Sequence, residues 1–186
     1  MRGLTPGPPI RLLVLDGDHT LWQPVDVTCA TERYPDDPQG HDQFAFQAAA
    51  DDPDLIIRED GVRFALLPGA RATLEQLHAA GVRLAMASFN HLAPIRAMLD
   101  AFGLQPLFSQ VVAFWAPDKL TMLRTILAAE ATAGHTYTPD AVLFVDDDPA
   151  GEYRPMAATA GTRFAQMGNP TEVQSFADIA RLAGYG

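Results

Sequence analysis

Residues 10–22 read IRLLVLDGDHTLW, and this stretch decides how the rest of the chain is read. The apolar run Leu12-Leu13-Val14-Leu15 stops at two carboxylates, Asp16 and Asp18, and Thr20 and the apolar pair Leu21-Trp22 follow at once. A short apolar run bounded by turn residues reads as a buried strand of a parallel sheet. Gly17 lets the backbone turn sharply at that strand's carboxyl end. In open α/β sheets, ligands bind in the crevice outside those ends. Two acids therefore stand where chemistry is expected, and the repulsion between them calls for a cation. The plainer reading of this stretch alone is an Asp-Gly turn with solvated acids, so the remaining motifs must decide.

On the amino-terminal side, residues 1–9 are rich in Pro and Gly and read as loose chain. On the other side, residues 23–54 are irregular and turn-rich, with a possible short helix over 44–50; a connection of that length is usually functional or disordered. Residues 55–58 and 62–65 flank Glu59-Asp60-Gly61, an Asp-Gly hairpin signal between two apolar runs. After Pro68-Gly69, helix and strand alternate. Helices are expected over 70–80, 92–102, from 117 or 118 to about 129, over 150–160 and over 171–182. Strands are expected over 82–87, 107–114, 141–145 and 162–167. This alternation implies a three-layer, Rossmann-like α/β fold: a parallel sheet with right-handed crossovers and helices on both faces. The chain is expected to form one domain over 1–186, with 23–67 as a small loop and β-hairpin insertion and no large cap domain.

The chain has 186 residues, 48% of them hydrophobic, and a net charge of −10, which suits a packed core and argues against nucleic acid and anionic membrane as partners. A phosphate ligand stays compatible, because a local cation can reverse the field at one site. Cys29 is the only cysteine, so no intrachain disulfide can form, and a reducing compartment fits. The start MRGLTPGPP lacks the pattern of a signal peptide, and no run approaches a membrane span, so a soluble cytoplasmic protein is expected, monomeric or homodimeric. Of the 13 basic residues all are Arg except Lys119, which makes that position worth inspecting.

Polar residues recur at four expected strand ends or just beyond: Asp16 and Asp18, Ser88, the region before Lys119, and Asp146-Asp147. In a parallel sheet these ends face one side. Acids at two of them can converge on Mg²⁺, which prefers oxygen ligands and takes a few carboxylates with phosphate and water. Ser88 adds a hydroxyl, the helix after it an anion-attracting N-terminus, and Lys119 a fixed positive charge. The ordered set LLVLDGDHT, LAMASFN, PDKLTML and AVLFVDDDP resembles the haloacid dehalogenase (HAD) superfamily of phosphotransferases, from Ile10 to about Pro155. Within it, LDGDHTLW, the hairpin before PGARATLEQL and the short insertion look most like the magnesium-dependent acid phosphatase branch (subfamily III type).

The resemblance implies a Mg²⁺-dependent phosphomonoester hydrolase. Asp16 would be the nucleophile that forms an aspartyl-phosphate, and Asp18 the general acid and then base, its backbone carbonyl facing the metal. Ser88, the Phe89 amide and Asn90 would hold phosphate, and Lys119 would neutralise Asp16 and the phosphoryl group. Asp146 would bind Mg²⁺ directly and Asp147 directly or through water, with the triple Asp146-Asp147-Asp148 leaving the register open by one residue. Asp148 reads better as the start of the following helix. The substrate would be a small phosphate ester or a phosphoprotein. The alternative is a HAD-like glyceryl or phosphoryl transferase acting with a carrier protein, for which Cys29 is the only thiol. A non-enzymatic phospho-receiver fits less well, because Lys119 precedes the acid cluster. His41 and His91 could touch substrate, while His78 and His135 read as surface and Trp22 and Trp115 as packing, or as the mouth of the pocket.

Overall fold

The computed structural model describes residues 9–25, 45–116, 118–148 and 150–185. Its centre is β1 (Leu12–Leu15), every residue of which is buried. β1 pairs in parallel with β6 (Arg83–Ser88) on one side and β8 (Val142–Asp146) on the other. The outer strands β7 (Phe108–Ala113) and β9 (Arg163–Gln166) complete a five-stranded parallel sheet in the order β7-β6-β1-β8-β9. The chain builds outward from β1 to β7 and then returns to the far side with β8. β1 is therefore the topological switch point, where a crevice opens beyond the strand ends.

Alternation along the strands divides the core between two faces. Leu13, Leu15, Leu84, Met86, Leu143 and Val145 pack with residues of α1 (Ala70–Ala79), α2 (Leu92–Ala101) and α5 (Phe176–Leu182). Leu12, Val14, Ala85, Ala87, Val142 and Phe144 pack with Met122, Leu123 and Ile126 of α3 (Lys119–Thr132) and Ala157 of α4 (Tyr153–Ala160). Three layers result, as the alternation of elements requires. At the amino-terminal edge of the sheet, fully buried Glu130 of α3 accepts from Arg83, from Ser109 Oγ at 2.7 Å and from Tyr137 Oη at 2.8 Å. These partners satisfy a carboxylate that burial alone would not tolerate.

The insertion is larger than a hairpin. β2 (Trp22–Pro24), β3 (Phe46–Ala49), β4 (Asp52–Arg58) and β5 (Arg63–Leu66) form an antiparallel sheet in the order β2-β5-β4-β3. The expected hairpin is its centre, with Ile56 opposite Phe64 and Gly61 at φ 90° in the turn. Of the short helix expected over 44–50, Phe46–Ala49 form a strand instead. One isolated turn of helix is costly to nucleate, whereas β3 gains a ladder with β4 and sets Phe46 edge-on against Phe64 at 6.1 Å. Arg71 fastens this sheet to the helices, donating to Asp54 at 2.6 Å and to the Phe102 carbonyl at 2.9 Å. Two helices begin later than expected. α4 starts at Tyr153 because residues 150–152 form a turn on the Asp148 carboxylate, and α5 starts at Phe176 because Ser175 and Asp178 form a capping box there. Among the described residues no helix is long and apolar enough to cross a membrane.

Candidate active site

The carboxyl ends of β1, β6 and β8 and the first turn of α3 meet at one point. Asp118 caps α3 by accepting from Thr121 N at 2.9 Å, which makes Lys119 the first helical residue. From there its side chain runs back under the strand ends. Its ammonium lies 2.5 Å from Asp16 Oδ1, 2.9 Å from Asp146 Oδ2 and 2.7 Å from the Ala87 carbonyl. Lys119 is 1% exposed, and its Nζ also stands 5.3 Å from the centre of the Tyr153 ring. Burial works against the charged ammonium, but Asp16 and Asp146 outweigh it and hold the pKa above the ordinary lysine value.

Asp16, Asp146 and Asp147 each present a carboxylate oxygen within 4.8 Å of the others. Asp146 Oδ1 accepts from the Asp148 amide at 2.9 Å, while Oδ2 meets the ammonium as an ion pair without a directed hydrogen bond. Burial, followed by the Asp16 charge, pushes the Asp146 carboxyl up to about 7 against the opposing pull of Lys119. Burial and Asp16 likewise raise Asp147. Three carboxylates this close, with one ammonium among them, carry a surplus of negative charge. An all-oxygen donor set of this kind fits a hard divalent cation.

Asp148 has the role that its place before a helix suggested. It is 2% exposed, and its carboxylate accepts from Glu152 N at 2.8 Å and Tyr153 N at 3.0 Å. It orders the turn leading into α4 and stands outside the cluster that could hold a metal. Gln166 secures the other side of this loop, donating to the Asp147 and Asp148 carbonyls at 3.0 and 3.1 Å.

Asp18 is turned elsewhere. Trp22 Nε1 donates to its Oδ1 at 3.0 Å and Asn90 Nδ2 to its Oδ2 at 3.3 Å. Burial and the Asp16 charge raise its pKa, while these two hydrogen bonds lower it. Trp22 is thus packing, as expected, but also a donor. It is fully buried, stacked on Phe102 at 5.9 Å, and its indole N–H reaches the acid four residues before it. A Cβ on Gly17 would stand 2.9 Å from Trp22 Cζ2 and 3.2 Å from Ser88 Oγ. Gly17 is therefore required by the close approach of these groups; its φ lies outside the left-handed region, which His19 adopts instead at 59°. Sequence reasoning missed this relation, and the available signal was the pairing of Gly17 with Trp22 inside one motif.

Ser88 ends β6 and is 1% exposed, and Phe89, Asn90 and His91 lead into α2. Asn90 Oδ1 accepts from the His91 amide at 2.8 Å, so the Asn90 side chain spans this loop and Asp18. Trp115 is not packed away: it is 42% exposed, in contact with Phe89 at 4.8 Å and stacked on His91 at 5.4 Å. His78 and His135 are exposed. Cys29 and His41 lie outside the described residues.

A family model described as haloacid dehalogenase-like hydrolase matches residues 10–161. The phosphoglycolate phosphatase of Cereibacter sphaeroides is 32% identical over 119 residues, covering 64% of this chain and 51% of that protein. The chain thus spans about half the length of this relative. A HAD-superfamily hydrolase from Ehrlichia chaffeensis superposes with a TM-score of 0.62 at 14% identity, covering 95% of this chain and 98% of that one. A HAD-superfamily hydrolase of subfamily IA from Geobacter sulfurreducens gives 0.59 at 17% identity, covering 93% and 99%. At these identities the two structures establish a shared fold.

Proposed function

The chain belongs to the haloacid dehalogenase-like hydrolases, and from that premise we propose that it hydrolyses phosphomonoesters through an aspartyl-phosphate, most nearly in the manner of the magnesium-dependent acid phosphatase branch. The observation that carries the reading is the convergence of Asp16, Asp146, Asp147 and the Lys119 ammonium at the carboxyl ends of β1 and β8. The kinship with a phosphoglycolate phosphatase supports phosphoester hydrolysis as the reaction class.

In this reading Asp16 attacks phosphorus, and the bond to the leaving oxygen breaks as Asp18 gives that oxygen a proton. Asp18 then takes a proton from water as the water oxygen attacks the phosphoryl group, releasing phosphate and restoring Asp16. Asp18 suits both halves: its raised pKa favours the protonated form, and two donors fix its orientation. Ser88 and the Phe89 amide, at the entrance to α2, take phosphate oxygens. Lys119 offsets the charge that Asp16 and the phosphoryl group share. Asp16, Asp146, Asp147 and the Asp18 carbonyl would hold Mg²⁺, which supplies charge neutralisation that lets two anions approach.

Asp16→Asn removes the nucleophile while keeping the side chain's shape. Turnover of 4-nitrophenyl phosphate with Mg²⁺ should fall by at least about a thousandfold, with thermal stability retained. Near-parental turnover by this variant would reject the assignment of Asp16.

A further inference from the structure

We propose that Phe89, Trp115 and His91 form an aromatic platform for the leaving group, so that the preferred substrates are small phosphomonoesters of planar aromatic alcohols. This rests on the phosphatase reading above and adds the substrate class. Among the described residues the exposed large hydrophobic side chains are Val25, Phe89 and Trp115, and two of these three are in ring contact with each other. His91 continues the surface, with its ring within 6° of parallel to Trp115. Such a patch beside a polar site marks a contact surface, since leaving it in water is unfavourable.

Its position identifies the occupant. The acids that could hold a cation lie on β1 and β8, whereas the rings follow β6 and β7 on the opposite side of β1. The phosphate would sit between them, held by the acids' cation on the β8 side and by Ser88 and the Phe89 amide on the β6 side, with its ester group leaving past the loop that follows β6. The proton donor marks the same direction. Asp18 Oδ2 accepts from Asn90, which stands in the chain between Phe89 and His91. An oxygen that takes a proton from Asp18 therefore lies beside the loop that carries two of the rings. The group attached to that oxygen would then meet these rings. Aromatic rings prefer offset-stacked or edge-to-face partners, each contact being worth roughly 0.5–1.5 kcal/mol, or about two- to tenfold in affinity.

Steady-state kinetics of 1-naphthyl phosphate and glycerol 2-phosphate with Mg²⁺ test the platform in the full chain. Comparing the two esters across variants cancels their intrinsic reactivity. Trp115→Ala and Phe89→Ala should each raise KM for the naphthyl ester about two- to tenfold more than for the glycerol ester. Trp115→Phe, which keeps a ring, should restore most of the difference. Equal changes on both esters, or no restoration by Phe, would overturn the platform. Binding separates its failure from that of the phosphatase reading. The chain has two tryptophans, of which Trp22 is buried and Trp115 exposed. In Asp16→Asn, 4-nitrophenyl phosphate should quench emission saturably, and Trp115→Phe in that background should remove the Trp115 share of the quench, leaving that of Trp22 beside Asp18. Saturable quenching that Trp115→Phe diminishes, without turnover in the parent chain, would sustain the platform and reject hydrolysis. Turnover without a Trp115 share of the quench would do the reverse.

Discussion

At the scale of single residues, Lys119 concentrates the electrostatics of the site. It is the only lysine, it is almost fully buried, and two carboxylates and a carbonyl surround its ammonium. An amine-reactive acetylating reagent should therefore label the N-terminus quickly and Lys119 slowly, faster in alkali than near neutrality. Activity should fall in step with the label on Lys119, as peptide mapping would show, and Mg²⁺ with phosphate should protect it. Lys119→Arg should lose at least about a hundredfold in kcat/KM, because a planar fork cannot replace a compact charge among three converging acceptors. Full activity with Lys119 stoichiometrically acetylated would remove it from the mechanism.

At the scale of elements, two short turns hold the site, and each depends on one residue. Between β1 and β2 that residue is Gly17. Gly17→Ala meets no backbone strain, yet its Cβ would stand 2.9 Å from the Trp22 ring, which is fixed in the core. The overlap should cost about 1–3 kcal/mol, visible as a melting temperature lowered by roughly 2–10 °C. Activity should fall further than stability alone requires, since Trp22 and Ser88 both move. Between β8 and α4 the residue is Asp148. Asp148→Ala orphans two backbone amides, of Glu152 and Tyr153, and should cost about 1–3 kcal/mol. Asp147→Ala should do the opposite: little loss of stability, but at least about tenfold more Mg²⁺ for half-maximal activity. Thermal melts and Mg²⁺ titrations of the two variants would show this crossing. The reverse order would place Asp148, not Asp147, at the cation.

At the scale of the whole molecule, the acid cluster should make stability depend on pH and cation together. Burial, with the Asp16 charge beside it, pushes the Asp146 carboxyl in the folded state up to about 7, well above the ordinary carboxylate range. A carboxyl raised in this way has no effect below the unfolded value, where both states are protonated. Between about pH 4 and 7 the folded state holds the extra proton, so stability falls as pH rises through this window. The cation-free protein should therefore lose stability through this group between pH 5 and pH 8. Mg²⁺ should restore it, because a cation replaces the missing proton. Melting temperatures with EDTA and with Mg²⁺ at pH 5 and pH 8 would test this: the Mg²⁺ increment should be larger at pH 8. An equal or smaller increment there would mean that the cluster does not hold the ion.

By itself the sequence determined the parallel sheet, its layers and the ordered acids, hydroxyl and lysine at the strand ends. The reason is local: LLVL and VLFV are short apolar runs bounded by turn residues, which read as buried strands, and the polar residue that ends such a strand lies at its carboxyl edge. It favoured Asp148 as the start of the following helix but left the register of the acid cluster open by one residue; the amides of Glu152 and Tyr153 that Asp148 holds closed it. Only the tertiary structure decided the rest. Gly17, Trp22 and Ser88 come together through a close approach between β1, β2 and β6, and Asn90 reaches Asp18 across 72 positions of chain. The four-stranded insertion depends on pairing β2 with β5, and the exposed rings on two loops that meet only in space. Periodicity reports which face of an element is buried, but which side chain faces it across a gap is set by the packing of distant elements.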